Sequence, residues 1–353
     1  MQLKDIWVKK GNLSRRLEQI DMAKNKKHSI EALRFIFMLV IAVWHFGRVN
    51  PFTHGYIAVD FYFILSGYLL YGSYIRHKYD ALVYTVEKLR RFYPEYIFVF
   101  IITFLMKVGI LLRENDYITV FLNAISEGLL IHGVGVYDGN VNPTSWYISV
   151  LLLGGGLLYA MLYCSKRVAV GVLFPLIVLL GYTALLRLNG SLEQFSSGLF
   201  ISECLLRGMA GMSLGVILAV FVERYSTSLE KNCLLLNVAC VLAVVIVSIA
   251  LFSVKHYDRF ALIAFSILII SCFVPSTMIN RVFASQLWMR LGGITFEMLL
   301  VHCPVIWVVN NVTRSIDLPK FGLFILALLY VVLVLVCSFS LKFIVNKLKT
   351  IKR

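Results

Sequence analysis

Long apolar runs separated by short polar intervals fill this chain from residue 30 to residue 345. At about 20 apolar residues per crossing of a hydrocarbon core, the pattern predicts ten helical spans, at roughly 30–47, 57–75, 95–112, 146–164, 168–186, 202–222, 232–253, 259–277, 293–311 and 321–345. Residues 115–133 break the series. Asn123 and Glu127 interrupt their apolar positions, which predicts an amphipathic outer segment and not a span. The expected fold class is all-α, a polytopic membrane protein of about ten transmembrane helices. Its membrane domain covers 30–345, with a basic N-terminal segment (1–29) before it and a short basic tail (346–353) after it. The N-terminal stretch LKDIWVKKGNLSRRLEQI offers Leu3, Ile6, Trp7 and Leu13 as contacts for a membrane surface; a disordered basic tail accounts for it equally well. It holds no apolar run of the kind a signal peptide needs.

Composition agrees with the pattern. Hydrophobic residues make up 59% of the 353, and the mean hydropathy is +0.82, far above that of a soluble domain of this length. The net charge of +15 raises the question of nucleic acid, and its placement answers it. Ten spans put both termini on one side. That side carries the basic residues of the N-terminal segment, of 76–94 and of the C-terminal end, while the other holds only Arg48, Arg113, Arg187, Lys255, Arg259, Arg314 and Lys320. Positive charge follows the cytoplasm, so both termini are expected there, in a multi-pass protein of the cell (plasma or inner) membrane. The charge is then a topology signal and a contact for anionic lipids, with no nucleic acid required. The seven cysteines are scattered, form no CxxC pair and mostly sit in apolar runs, so they read as small core residues and no metal site is expected.

Orientation gives each polar residue a depth. In EALRFIFMLVIAVWHFG, Arg34 lies near the cytoplasmic end of the first span and His45 near the outer end, eleven residues or roughly 16 Å apart and on broadly the same face. Asp60, in YIAVDFYFILSGYLL, falls at about the depth of His45, with Ser66 near mid-span. VEKLRRFYPEY brings Arg90 and Arg91 to the inner side. TSWYIS places Trp146 and Ser149 near the outer face, Arg207 enters the sixth span in its outer third, and FEMLLVHCPVI holds His302 near mid-membrane with Glu297 closer to the cytoplasm. Ionisable residues within spans are expensive and mark function by default. Inner arginines suit phosphates. An outer histidine beside a carboxylate suits general-base chemistry, with Asp60 orienting His45. Each residue also has a plain alternative. Arg34 can snorkel, Asp60 can form a purely structural pair with His45 or with an arginine (Arg207 and Arg48 compete with His45 for it), Arg90 and Arg91 can serve topology, Trp146 can be a belt residue, and His302 can make an interhelical hydrogen bond.

Taken in order, these stretches resemble the acyltransferase-3 family of integral membrane acyltransferases. LRFIFMLVIAVWH matches its arginine, ten residues, histidine pattern, and AVDFYFILSGYLL its second-span motif. RRFYPEY, TSWYISVLLL, LLRGMAGMSLG and TFEMLLVHCPV follow, over about residues 29–345. Many relatives have glutamate soon after the tryptophan motif, where this chain has Leu151 and Leu152. The resemblance implies a stand-alone unit without the SGNH hydrolase-like domain that some relatives carry. It implies transfer of an acyl group, commonly acetyl from acetyl-CoA, to a hydroxyl of a cell-surface glycan or lipid-linked saccharide, with acetyl-CoA or another acyl-CoA as donor substrate and no bound cofactor. Arg34, Arg90 and Arg91 would hold the donor, His45 and Asp60 would act in catalysis, and Ser66, Trp146, Ser149, Arg207, Glu297 and His302 would serve the acceptor or support the site. The rival class is a transporter or flippase of glycan intermediates, which also needs intramembrane charge; the chain shows no pair of related halves of the kind many transporters have.

Overall fold

The computed structural model describes residues 28–114, 116–135, 141–193 and 202–351. The candidate surface-binding residues of the N-terminal segment lie outside the described residues. Among those described, all regular structure is helical, as a backbone in lipid requires when no closed barrel is formed. The helices are α1 (His28–Phe46), α2 (Ala58–His77), α3 (Ala81–Glu114), α4 (Tyr117–Gly128), α5 (Trp146–Val168), α6 (Phe174–Asn189), α7 (Glu203–Lys231), α8 (Cys233–Phe252), α9 (Asp258–Phe273), the short α10 (Met278–Val282) and α11 (Gln286–Gly292), α12 (Thr295–Val312) and α13 (Lys320–Ile351).

Each of the ten apolar runs is a helix, but only seven stretches among the described residues are long and apolar enough to cross a membrane. Three local causes separate seven from ten. The expected fourth and fifth spans count as one stretch, because no loop separates α5 from α6: a wide helical turn at 169–173 joins them. α9 has 16 residues. α2 carries Asp60, two serines and four tyrosines, which lower its hydropathy. α13 runs on to Ile351, through the boundary expected at 345.

α5 and α6 nevertheless reverse direction. Lys166 of α5 reaches Glu223 of α7 at 3.9 Å, so α5 runs parallel to α7. Asn189, ending α6, donates to Glu203 at the start of α7 (2.9 Å), so α6 runs antiparallel to it. The break is at Ser165, with an extended backbone inside the helix (φ −159°, ψ 97°).

α2 and α7 form the tightest pair. A Cβ at Gly67 would lie 1.8 Å from the Met212 carbonyl oxygen, and one at Gly215 would lie 1.9 Å from that of Ile64. Only glycine permits this backbone approach, the membrane use of small residues. α4 behaves as expected of a surface segment. It buries Asn123, Ser126 and Glu127 against the protein and exposes Tyr117, Ile118 and Phe121, an inside-out pattern suited to lipid.

Candidate active site

α1 carries Arg34 and His45 on one face, and both line a single cavity of about 790 Å³ between α1, α2, α3, α5, α12 and α13. Arg91, Ser66, Trp146, Arg207 and Glu297 line it too. Seven of the sequence-predicted residues therefore share one space, with Arg34 towards one end and His45 towards the other; Asp60, Arg90, Ser149 and His302 do not line it.

At the His45 end, the ring Nδ1 lies 2.9 Å from the Ile41 carbonyl oxygen, one helical turn back. A carbonyl can only accept, so Nδ1 carries the hydrogen in this contact and Nε2 keeps its lone pair. The helix itself thus selects the tautomer that can take a proton at Nε2. His302 is built the same way on α12: its Nδ1 donates to the Met298 carbonyl (3.0 Å), and its Nε2 is buried without a hydrogen-bond partner. The two imidazoles are neighbours, with centroids 5.2 Å apart.

Lysines and arginines gather at the other end. Arg34 grips both carboxylate oxygens of Glu31 one turn away (2.9 and 2.7 Å), and its carbonyl accepts the Tyr62 hydroxyl. Lys349 pairs with Glu95 (2.8 Å), and Lys342 with Glu297 (3.7 Å) and the Gly293 carbonyl. Lys88 and Arg91 also line the cavity and have no acidic partner among the described residues. This end holds more positive than negative groups and can take an anion. Arg90 points elsewhere. It is exposed, lies 3.4 Å from Glu87, and lines an adjoining cavity of about 440 Å³ that shares Lys88 and Arg91 with the main one.

The expected Asp60–His45 pair is not formed. Asp60 is fully buried and binds Arg207 through two contacts, Nη2–Oδ2 at 2.6 Å and Nε–Oδ1 at 3.3 Å, with the Tyr182 hydroxyl donating at 3.3 Å. Arg207 is also buried, and its Nη2 donates to the Tyr56 carbonyl (2.8 Å). Depth favoured His45 as the partner over its competitors Arg207 and Arg48. Charge decides it, because a guanidinium buried one helix away gains far more from a carboxylate than a neutral imidazole can.

Ser149 lies behind the cavity wall. It donates to the Leu130 carbonyl (2.5 Å) and accepts from the Gly133 amide (3.1 Å), tying α5 to the loop after α4. Beside it, Glu127 accepts from the amides of Val141 (2.9 Å) and Asn142 (2.6 Å) and from the Ser145 hydroxyl (3.1 Å). This carboxylate holds the loop whose Pro143 and Thr144 form part of the cavity wall. Burial pushes its pKa up to about 7 against the pull of those donors, and burial lowers that of neighbouring His132 to about 4. No cluster of metal-ligating side chains occurs among the described residues.

Residues 27–343 match the acyltransferase-3 family, described as an acyltransferase domain. The chain belongs to this family. Among curated proteins and solved structures, nothing matches it. As a member with several helices fit to cross a bilayer, it is a multi-pass membrane protein of the acyltransferase class.

Sequence reasoning missed several residues of this acyltransferase's cavity. Lys88 sits one helical turn before Arg91 within the same motif, a spacing that put it on the same face. Lys349 read as part of a basic tail and Lys342 as a topology charge at the end of the last span, because α13 outruns its apolar part. Tyr62 and Tyr147 were hidden among aromatic core residues, with ring centroids 6.2 Å apart and the Tyr147 hydroxyl 3.5 Å from that of Ser66.

Proposed function

We propose that this protein is a membrane O-acyltransferase that moves acetyl from cytoplasmic acetyl-CoA to a hydroxyl of a cell-surface glycan or lipid-linked saccharide, with His45 as general base. The observation that carries the reading is the shared cavity, with unpaired cations near Arg34 and an imidazole held in its basic tautomer at the other end. The donor's phosphates belong at Lys88, Arg91 and Arg34, and the thin pantetheine arm follows α1 for the roughly 16 Å to His45.

There the acceptor hydroxyl loses its proton to His45 Nε2 as its oxygen bonds to the thioester carbonyl carbon. The tetrahedral intermediate collapses, the C–S bond breaks, and the imidazolium returns the proton to the departing CoA sulfur. No net proton is consumed. His302 supports the base by position, and Asp60 acts through Arg207 and Tyr56 on the frame around it.

Mass spectrometry of surface glycans from cells with and without the protein tests the reading. Acetyl esters lost with the protein and restored by it support acyl transfer. Unchanged acylation with altered glycan export supports the transporter class instead.

A further inference from the structure

The aromatic rings of Trp44 and Tyr56 meet beside His45. Trp44 approaches the His45 ring edge-on at 4.8 Å and the Tyr56 ring at 5.8 Å, and Trp146 lines the same cavity. Glu193 lines it as well, and its carboxylate has no hydrogen-bond or ion-pair partner among the described residues. Its backbone is firmly placed. The Leu192 amide donates to Asp258 Oδ2 (2.6 Å), the same oxygen that accepts the Tyr56 hydroxyl (3.0 Å). The Glu193 amide donates to Ser191 Oγ (3.3 Å), and its carbonyl accepts from Asn189 Nδ2 (3.5 Å).

An ionised carboxylate only accepts hydrogen bonds, so it selects hydroxyl or ammonium donors and repels anions. The buried cation of this end, Arg207, cannot offset that, since Asp60 neutralises it and the Tyr56 carbonyl takes one of its donors. Aromatic faces beside a lone acceptor match a sugar ring, whose C–H face is apolar and whose rim is a ring of hydroxyl donors. We infer that the His45 end of the cavity is an acceptor subsite for an uncharged or amino sugar, which packs its C–H face on Trp44 and donates hydroxyls to Glu193; uronates and phosphorylated sugars are excluded. The inference rests on the acyl-transfer reading and narrows its acceptor.

The test uses the full chain purified in detergent and needs no turnover. Saturation-transfer NMR is run with methyl β-D-glucopyranoside, methyl N-acetyl-β-D-glucosaminide and methyl β-D-glucuronide as probes. The two uncharged glycosides should bind and the glucuronide should not. Glu193→Gln should weaken the uncharged probes about tenfold or more, the cost of losing a charged acceptor, Glu193→Lys should admit the glucuronide, and Trp44→Phe should retain binding that Trp44→Ala loses. Glucuronide bound as well as glucoside, unchanged binding in Glu193→Gln, or no contact with any probe would overturn the subsite. Acetyl-CoA consumption is read on the same preparations. Charge-selective sugar binding without any acetyl transfer would count against the acyl-transfer reading and leave a saccharide site standing. Transfer that ignores acceptor charge would remove the subsite alone.

Discussion

At the scale of single residues, the decisive contacts are those that set a proton or neutralise a charge. His45 owes its basic Nε2 to a carbonyl one turn back on its own helix, so it needs no carboxylate to orient it. Asp60 is left free to hold Arg207, and that gives it a different signature from a residue orienting the base. Asp60→Asn leaves a buried guanidinium without its counter-charge, a loss of about 3–5 kcal/mol. It should lower the unfolding temperature sharply, and the joint change Asp60→Leu with Arg207→Met should recover most of it. A stable Asp60→Asn protein with turnover alone reduced would instead mean that Asp60 acts on the base. The sequence already showed an arginine and a histidine on one face of α1, because the helical period is fixed. It offered His45, Arg207 and Arg48 as partners for Asp60 without deciding among them, because pairing depends on how helices pack.

At the scale of elements, the helices were legible because lipid leaves a spanning backbone few options, and every apolar run is indeed a helix. Lengths were less legible. The apolar pattern ends near 345, yet α13 continues as a charged turn that brings Lys349 to the cavity. The α4 segment shows how a surface helix can still shape a site. Its Glu127 holds the 141–145 loop, and its raised pKa carries a pH dependence. The folded protein keeps this proton up to about pH 7, whereas the unfolded chain releases it near the ordinary glutamate value of about 4.3. The native state therefore binds more protons in between, and this group's contribution to stability falls as pH rises from about 4.5 through 7. Thermal unfolding of wild type should fall relative to Glu127→Gln across that window. Parallel pH profiles for the two proteins would show that Glu127 is already ionised in the fold.

At the scale of the whole molecule, one cavity joins a cationic end to an imidazole end, and the two arginines of a single motif divide over it. Arg91 faces the main cavity with Lys88, while Arg90 pairs with Glu87 outside it. Arg91→Ala should raise the KM for acetyl-CoA about tenfold, as expected for a charged phosphate contact, and Arg90→Ala should change it little. Equal effects would mean that the adjoining cavity carries the donor as well. The glycine contact between α2 and α7 sets the width of this frame, so Gly67→Leu, which cannot fit against the Met212 carbonyl, should abolish folding or insertion as read by detergent-resistant yield. The most direct test of the joined cavity compares Arg34→Ala and His45→Ala in purified protein, with donor affinity and acetyl transfer from labelled acetyl-CoA measured together. A split is expected: Arg34→Ala binds donor more weakly, while His45→Ala binds donor like wild type and loses roughly 10²–10⁴-fold in turnover. Near-normal turnover in His45→Ala, or undiminished donor affinity in Arg34→Ala, would contradict it.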